Sequence, residues 1–357
     1  MKPSQYSSIM PQIALANLKL IDFNDLVCLI GKDLDEIFSF LLTTPYREEI
    51  ANTCGDKVVP SLLEEALLQN YAKIFNKLLK FSTKHIKDLL LSILHKFDAL
   101  NLKTLFRLVH AGTNTEDILQ YIVPLGMYSR EKCKEILSKN NSISEIVNSI
   151  QNQDFGFTLK ELLNHKEIIS DLSPLEATLD KEVFTRIFKA INKLNRKDKK
   201  IATNILGIEL DALNVKIILK YKSLITHYEN IEEYLMPTAL IDRKTLISAG
   251  KDIDLKSALQ RFLKTVETGH QVYLEIFKKL VKESNSPKSK LEFILERASL
   301  EMSIFELKKN SRYYNIGFLL AFLNMKWAEI KNLRCIINAT ERKVEGEQIH
   351  NLLILPE

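Results

Sequence analysis

The sequence Asp98-Ala-Leu-Asn101-Leu-Lys103 recurs twice along the chain. The other two copies are Asp211-Ala-Leu-Asn214-Val-Lys216 and Glu329-Ile-Lys-Asn332-Leu-Arg334. Each copy has an acid, an asparagine three residues later, an apolar residue and a base, and a proline follows each asparagine by 23 or 24 residues. Because the acid, the asparagine and the proline keep nearly the same spacing in each copy, the sequence indicates that one structural unit occurs three times.

A second marker, Ser-x-Leu-Glu, lies about forty residues before each of these asparagines. It reads Ser61-Leu-Leu-Glu64, Ser173-Pro-Leu-Glu176 and Ser289-Lys-Leu-Glu292. A serine followed by a glutamate three residues later is typical of a capping box, in which the two side chains bind backbone N–H groups of the first helical turn. The pattern predicts a helix that begins at each serine, with Pro174 at the first helical position.

The distance between the two markers predicts an antiparallel helical hairpin in every copy. It leaves room for one long helix, a turn and most of a second long helix. In the first copy we place the helices at about 61–80 and 84–110, and Gly112 at the end of the second helix favours a C-cap there.

Shorter helices are predicted to flank each hairpin. Ser129 and Asp242 each follow a repeat proline by five residues and are good N-caps. They predict helices at Arg130–Ser138 and Arg243–Ala249.

The repeat covers nearly the whole chain, because residues 24–33 correspond to residues 244–252. A period of about 115 residues is far longer than that of helical solenoid repeats, so it indicates domains that can close a ring. We predict three helical domains, at residues 1–126, 127–239 and 240–357.

The composition favours an all-α fold. Apolar residues make up 46% of the chain and charged residues 27%, which is typical of a folded protein. Only 10 Gly and 9 Pro occur, few for a protein of many tight turns, while Leu, Ile, Lys and Glu recur at helical spacing. We therefore predict an all-α chain with three similar domains in a pseudo-threefold arrangement.

Several classes of protein are disfavoured by charge and cysteine content. A net charge of +5 is small for a dedicated nucleic-acid binder. The four cysteines form no C-x-x-C pair, which argues against a disulfide scaffold or zinc site and favours a reducing, cytoplasmic setting. The N-terminal stretch does not read as a secretory signal. The longest apolar stretch, Ile316–Leu323, is too short to span a bilayer, and we predict a buried helix there rather than a surface against a membrane subunit.

No catalytic motif is present. Phosphate-binding glycine loops, H-E-x-x-H, G-x-S-x-G, calcium loops and clustered Cys or His ligands are all missing from the sequence. We expect no catalytic residue, no metal site and no cofactor. The acid and asparagine of each copy share a helix face and could form a general acid with its orienting partner. The structural interpretation is favoured, because residues kept in all three copies serve the common fold more readily than one active site.

Basic residues of the repeat are candidates for an interface. Lys103 with Arg107, and Lys216 with Lys220, are spaced to share a helix face, whereas the third copy has Arg334 but Asn338. They could face an acidic partner or, the favoured interpretation, lie on a solvated face. The candidate interface and repeat-motif residues are Asp98, Asn101, Lys103, Arg107, Asp211, Asn214, Lys216, Lys220, Glu329, Asn332 and Arg334.

The densest basic patch lies between Lys189 and Lys200, at the predicted turn of the second hairpin. The patch could bind nucleic acid, anionic lipid headgroups or an acidic partner protein, and a solvated turn is the favoured interpretation. Phe184 and Phe188 nearby have the spacing of helix core residues rather than of a base-stacking platform.

One segment has a specific family resemblance. Residues 317–337, which contain Trp327-Ala-Glu329-Ile-Lys-Asn332-Leu-Arg334, together with residues 347–353, resemble the C-terminal signature of the C subunit in the central stalk of A/V-type rotary ATPases, a family related to the d subunit of eukaryotic vacuolar ATPases. The first two copies of the repeat and residues 40–46 also resemble this family. One departure is visible, since Asn338-Ala-Thr340 stands where the family tends to have a Lys-Gly-Lys-like end.

The resemblance implies a funnel of three quasi-equivalent domains, peripheral on the cytoplasmic face of the membrane. It implies a non-catalytic rotor subunit that links the membrane proteolipid ring to the central shaft subunits, without nucleic acid or a small-molecule substrate. Such a subunit transmits torque for proton- or sodium-coupled ATP synthesis or hydrolysis. Two alternatives are a soluble helical scaffold that binds nucleic acid or protein, and an enzyme whose site is built from the acid–asparagine pairs.

Overall fold

A computed structural model describes most of the chain. The described residues are 6–55, 57–114, 118–119, 121–140, 142–152, 154–165, 172–223, 231–267, 270–310 and 315–355. Within these ranges all regular secondary structure is helical and no strand occurs, which confirms the all-α prediction.

Seventeen α-helices are described, together with a 3₁₀ turn at Ile231–Glu233. In chain order they are α1 (Met10–Asn17), α2 (Phe23–Val27), α3 (Leu34–Leu41), α4 (Arg47–Cys54), α5 (Pro60–Phe81), α6 (Lys84–His110), α7 (Arg130–Lys139), α8 (Ile143–Ser149), α9 (Gly156–His165), α10 (Ser173–Ile191), α11 (Arg196–Ser223), α12 (Arg243–Lys251), α13 (Leu255–Val266), α14 (Gln271–Lys282), α15 (Lys288–Lys309), α16 (Ile316–Glu341) and α17 (Gly346–Leu352).

Three pairs of long helices stand where the hairpins were predicted. They are α5 with α6, α10 with α11, and α15 with α16. The bounds of α5 and α6 match the prediction within a residue, and Gly112 follows α6 with φ of +70°. Such a backbone conformation favours glycine, because a side chain would crowd the following carbonyl.

Two predicted N-caps are also confirmed. The Ser129 side chain accepts a hydrogen bond from the backbone N–H of Lys132 and begins α7. The Asp242 carboxylate accepts one from the N–H of Thr245 at 2.9 Å and begins α12. These helices end at Lys139 and Lys251, slightly later than predicted.

The prediction of capping boxes at Ser61, Ser173 and Ser289 is wrong. All three serines lie inside the first turn of their helices, and no side chain caps α5, α10 or α15. Helix α5 begins one residue earlier, at Pro60, whose fixed φ suits the first helical position and which has no N–H to satisfy. Pro174 accordingly occupies the second helical position of α10, not the first.

The six long helices pack in a closed cycle. The second helix of each hairpin packs against the first helix of the next hairpin, so that α6 contacts α10, α11 contacts α15 and α16 returns to α5. Each of these three contacts between repeat units is here called a seam. Buried apolar side chains from all three units form one continuous core. The start of α16, including Ile316, Leu319 and Leu320, belongs to this core, as predicted.

The N-terminal segment, residues 6–21, covers the seam between α16 and α5. Helix α1 packs on α16. The Tyr6 hydroxyl donates to the Asp198 carboxylate at 2.7 Å, and the Ser8 hydroxyl donates to the Phe81 carbonyl at 2.9 Å. The N-terminal segment thereby connects the hairpin turns to the middle of α16.

Candidate functional site

The repeated asparagine fastens a following backbone segment to the hairpin. Asn101 is fully buried in α6, and its amide group donates to the carbonyls of Val123 and Tyr128, both at 2.9 Å. Its oxygen accepts the N–H of Val123, also at 2.9 Å. An asparagine amide offers one acceptor and two donors in a plane, which matches the N–H and C=O of an extended segment.

The other two copies repeat this contact at the same sequence offset. Asn214 accepts from the N–H of Met236 at 2.8 Å and donates to the Pro237 carbonyl at 3.1 Å. Asn332 exchanges two hydrogen bonds with Ile354, at 2.7 and 3.0 Å. The accepting oxygen in each copy binds the N–H that lies 22 residues later. This contact explains why a proline follows each asparagine at nearly the same distance. The third of these prolines, Pro356, lies outside the described residues.

In the first two copies the repeated acid binds backbone N–H groups that follow the proline. Asp98 accepts from Met127 at 2.6 Å and from Tyr128 at 3.1 Å. Asp211 accepts from three consecutive N–H groups, at residues 239–241. Burial nevertheless raises the pKa of Asp211 to about 6, against the effect of these N–H groups.

The third acid, Glu329, lies in a buried polar cluster at the seam between α16 and α5. Its carboxylate accepts from the Ile21 N–H, the Tyr46 hydroxyl and the Lys326 ammonium, each at 2.7 Å. The Lys326 ammonium also lies 4.0 Å from the centre of the Tyr46 ring. Burial lowers the pKa of Lys326, which Glu329 partly offsets.

A tyrosine from another repeat unit reaches the acid at two of the three seams. Tyr46 does so at Glu329, and the Tyr273 hydroxyl donates to Asp211 at 3.0 Å. At Asp98 a histidine of the same helix, His95, lies within 3.2 Å instead. All three acids are thus buried, and their carboxylates bind groups of the same chain. This supports a structural role for them over a role as a general acid.

The bases of the motif form ion pairs across the seams. The Arg107 guanidinium donates to both carboxylate oxygens of Glu176, at 2.5 and 2.7 Å, and Lys103 pairs with Asp180 one helical turn further along α10. Arg334 donates to Glu64 at 2.5 Å. Glu64 and Glu176 are glutamates of Ser-x-Leu-Glu, so these two side chains bind arginines of another repeat unit instead of folding back to cap their own helices.

The second copy shows the same pairing with a different acid. Lys216 pairs with Glu296 of α15 at 3.1 Å. Lys220 lies 3.2 Å from the Ser173 hydroxyl within its own unit. The solvated-face interpretation is wrong for Lys103, Lys216 and Arg334, which are partly buried in ion pairs within the chain. Arg107 and Lys220 are exposed, as that interpretation expected, although Arg107 also pairs within the chain. Contact of these bases with an acidic partner stays a prediction.

A central cavity of about 410 Å³ lies inside the cycle of long helices. Side chains from all six of these helices line it, as does Ile354 from the C-terminal segment. Its apolar lining includes Phe97, Phe184, Leu320, Leu323 and Trp327. A largely apolar cavity of this size falls in the range of ligand-binding pockets.

Charged residues lie toward one end of the cavity. Lys103, Lys216 and Lys331 stand farther along their helices from the hairpin turns than the apolar lining residues Leu206 and Leu320. The cavity therefore has an apolar floor on the side of the turns and a charged region on the opposite side. The sequence did not reveal this cavity, because which helix face points inward depends on the packing of six helices.

The basic patch lies where predicted, at the end of α10, the turn 192–195 and the start of α11. Most of its bases are exposed, whereas its one acid, Asp198, is buried. Lys193 pairs with Asp88 of the first hairpin at 3.2 Å. Phe184 is buried and Phe188 partly buried in the core, as predicted.

Other kinds of site are not found among the described residues. No group of three or more His, Cys, Asp or Glu side chains there could hold a metal ion. No helix in the described ranges is long and apolar enough to cross a membrane. All four cysteines are free thiols.

Comparison with known families decides the identity. Residues 17–352 match the family model described as ATP synthase (C/AC39) subunit. The chain belongs to this family. The resemblance seen in the sequence is thereby confirmed.

Two relatives within the ATP synthase (C/AC39) subunit family align along almost the whole chain, and a third aligns along two thirds of it. The C subunit of the A-type ATP synthase from Methanocaldococcus jannaschii is 27% identical over 98% of this chain and 86% of its own length. The corresponding protein from Methanococcoides burtonii is 23% identical over 99% of this chain and 95% of its own. The corresponding protein from Archaeoglobus fulgidus is 26% identical over 65% of each chain.

Proposed function

We propose that the chain is a non-catalytic rotor subunit that links a membrane proteolipid ring to the central shaft of an A/V-type rotary ATPase. It transmits torque between them, for proton- or sodium-coupled ATP synthesis or hydrolysis. The observation that carries this proposal is the closed cycle of six long helices around a central cavity, in a chain of the ATP synthase (C/AC39) subunit family. Its relatives are named as C subunits of A-type ATP synthases.

The seams suit a protein that carries torque. A rotating adaptor is loaded in shear between neighbouring units, so each seam must resist sliding. Ion pairs fix the register at every seam, through Lys103 at the first, Lys216 at the second and Arg334 at the third. Directional contacts set register more effectively than apolar packing does, although each adds little affinity. The repeat units at 1–126, 127–239 and 240–357 act as the three domains of this adaptor.

The two ends of the helix cycle suit two different partners. The cavity, with its charged region away from the hairpin turns, receives the end of the shaft. The opposite end carries the hairpin turns and the basic patch between Lys189 and Lys200, and it faces the proteolipid ring. The protein therefore sits peripherally on the cytoplasmic face of the membrane.

A non-catalytic role is supported by the engagement of the repeat acids. Asp98, Asp211 and Glu329 are buried, and their oxygens are used by contacts within the chain. The acid–asparagine pairs stabilise the units and do not act on a substrate. ATP chemistry takes place on other subunits of the complex.

Affinity purification from mildly solubilised membranes tests the proposal. The tagged full chain should bring down a small proteolipid and the coiled-coil shaft subunits. Their absence, in a preparation where the rest of the complex is intact, would contradict the proposal. Strongly salt-dependent binding of the purified chain to nucleic acid would instead favour the scaffold alternative, since the exposed bases near the α10–α11 turn would then bind phosphates.

A further inference from the structure

Among the described residues, the charges that line the central cavity are paired, except for one lysine. Lys96 pairs with Glu209 at 2.5 Å, and Lys103 and Lys216 pair with Asp180 and Glu296. Four lysines and three acids line the cavity in all. The fourth lysine is Lys331 of α16, which makes no hydrogen bond and no ion pair within the described part of the chain.

The position of Lys331 in the repeat shows that this charge is particular to the third unit. Lys331 lies two residues after the repeat acid Glu329, and the corresponding residues of the other copies are Leu100 and Leu213. All three line the cavity. The common fold accepts a leucine at this position, so the ammonium group is not required by the repeat architecture.

The surroundings of Lys331 make an unpaired ammonium group unfavourable. Burial lowers its pKa, because an ammonium group loses hydration when apolar walls surround it. The charges of Glu296 and Glu209 oppose this effect, but both carboxylates already bind other lysines. A carboxylate brought into the cavity would provide Lys331 with a charged hydrogen-bond partner.

We propose that Lys331 binds a carboxylate on the shaft segment that enters the cavity. This inference rests on the proposed function and adds the chemistry of the contact. The entering segment is the end of a helix with apolar side chains at its tip and an acidic side chain, or a terminal carboxylate, next to them. The apolar tip packs against Trp327, Leu320 and Leu323, while the carboxylate reaches Lys331.

The shape and lining of the cavity favour a protein segment over a free anion. A volume of about 410 Å³ holds several side chains. Apolar side chains such as Phe97 and Trp327 line the same cavity as Lys331. A small hydrated anion would be desolvated there without apolar contact to offset the cost, whereas a helix end satisfies both parts of the surface.

Binding of the full chain to the purified shaft subunits of its own complex tests the proposal. Isothermal titration at two salt concentrations should show that Lys331→Met weakens binding about tenfold or more and reduces its salt dependence. The matched control is Lys77→Met on α5, an exposed lysine outside the cavity, which should bind as the wild type does. Lys331→Glu should weaken binding further, because it places an acid opposite the incoming carboxylate.

The possible results separate the two proposals. Equal binding by wild type and Lys331→Met would overturn the role of Lys331 and leave the shaft adaptor intact. Failure of the wild-type chain to bind the shaft would overturn the proposed function and this inference with it. Binding of inorganic phosphate that depends on Lys331, without an effect of Lys331→Met on the shaft, would assign the lysine to a small anion.

A stability measurement tests whether weaker shaft binding by Lys331→Met results from misfolding of the variant. Methionine is close to lysine in length and removes an unpaired, partly buried charge, so Lys331→Met should unfold at the same or a higher urea concentration. A clear loss of stability would mean that Lys331 has a partner within the chain and would overturn the proposal.

Discussion

Replacing Asn101 by leucine should destabilise the first unit strongly, although leucine has a similar size. Asn101 is fully buried and satisfies the N–H and C=O of Val123 and the C=O of Tyr128. Leucine can make none of these hydrogen bonds. The segment that leads from α6 into α7 would lose its attachment to the hairpin.

The size of this destabilisation depends on which backbone groups lose every hydrogen-bond partner when Asn101 is replaced. The Val123 carbonyl also accepts from the Leu125 N–H, and the Tyr128 carbonyl also accepts from the Cys133 thiol. The Val123 N–H has Asn101 as its partner in the structure. One orphaned N–H and two weakened carbonyls predict a loss of about 2 to 5 kcal/mol in the free energy of unfolding.

Urea unfolding measures this loss. It should be followed by circular dichroism and by fluorescence of the single tryptophan, Trp327, because agreement of the two probes tests whether the chain unfolds as one unit. Asn76→Leu on the exposed face of α5 is the matched control and should change stability by less than about 0.5 kcal/mol. A free energy of unfolding for Asn101→Leu within about 1 kcal/mol of this control would show that the buried Val123 N–H does not need Asn101 as its partner.

Three further predictions concern single features of the fold. Glu329→Gln should lower the free energy of unfolding by about 3 to 5 kcal/mol, because it leaves Lys326 buried without a countercharge. In a double-mutant cycle, adding Lys326→Met should restore part of this stability, and additive effects of the two substitutions would count against the pairing. Cys28 is exposed and should react rapidly with a thiol reagent. Burial raises the pKa of Cys133 to about 12, so Cys133 should react only as the protein unfolds, and rapid reaction of both cysteines would contradict the structure. Gly126→Ala should lower the free energy of unfolding in urea by at least about 1 kcal/mol, because φ of +93° strains any residue with a Cβ, and an unchanged urea midpoint would disprove it.

The hairpins could be predicted because their markers take part in contacts that every unit needs. Asn101, Asn214 and Asn332 each bind a backbone N–H at the same offset, so their spacing cannot drift without loss of the hydrogen bond. Likewise, the caps Ser129 and Asp242 act within one turn of helix, where sequence and structure are closely linked.

The capping boxes at Ser61 and Ser173 could not be predicted correctly because Glu64 and Glu176 have partners far away in the sequence. Glu64 binds Arg334, a residue 270 positions later. Sequence spacing shows that a glutamate can reach its own helix start, but not that an arginine from another unit competes for it.

Lys331 illustrates the opposite case. A comparison of the three copies singles out a lysine where Leu100 and Leu213 stand, and that comparison needs only the sequence. What the difference means needs the structure, because only the packing of six helices shows that all three positions point into one cavity.

The closed cycle of helices is made by a chain with two ends. Peptide linkages connect the first hairpin to the second and the second to the third, but no covalent link joins α16 to α5. A load carried around the cycle must cross that seam through non-covalent contacts alone, so the molecule behaves mechanically as a split ring. The Glu329 cluster and the N-terminal segment over α16 lie at this gap. When the protein is pulled or twisted to failure, rupture should begin there, and the force at rupture sets the largest torque that the molecule can carry.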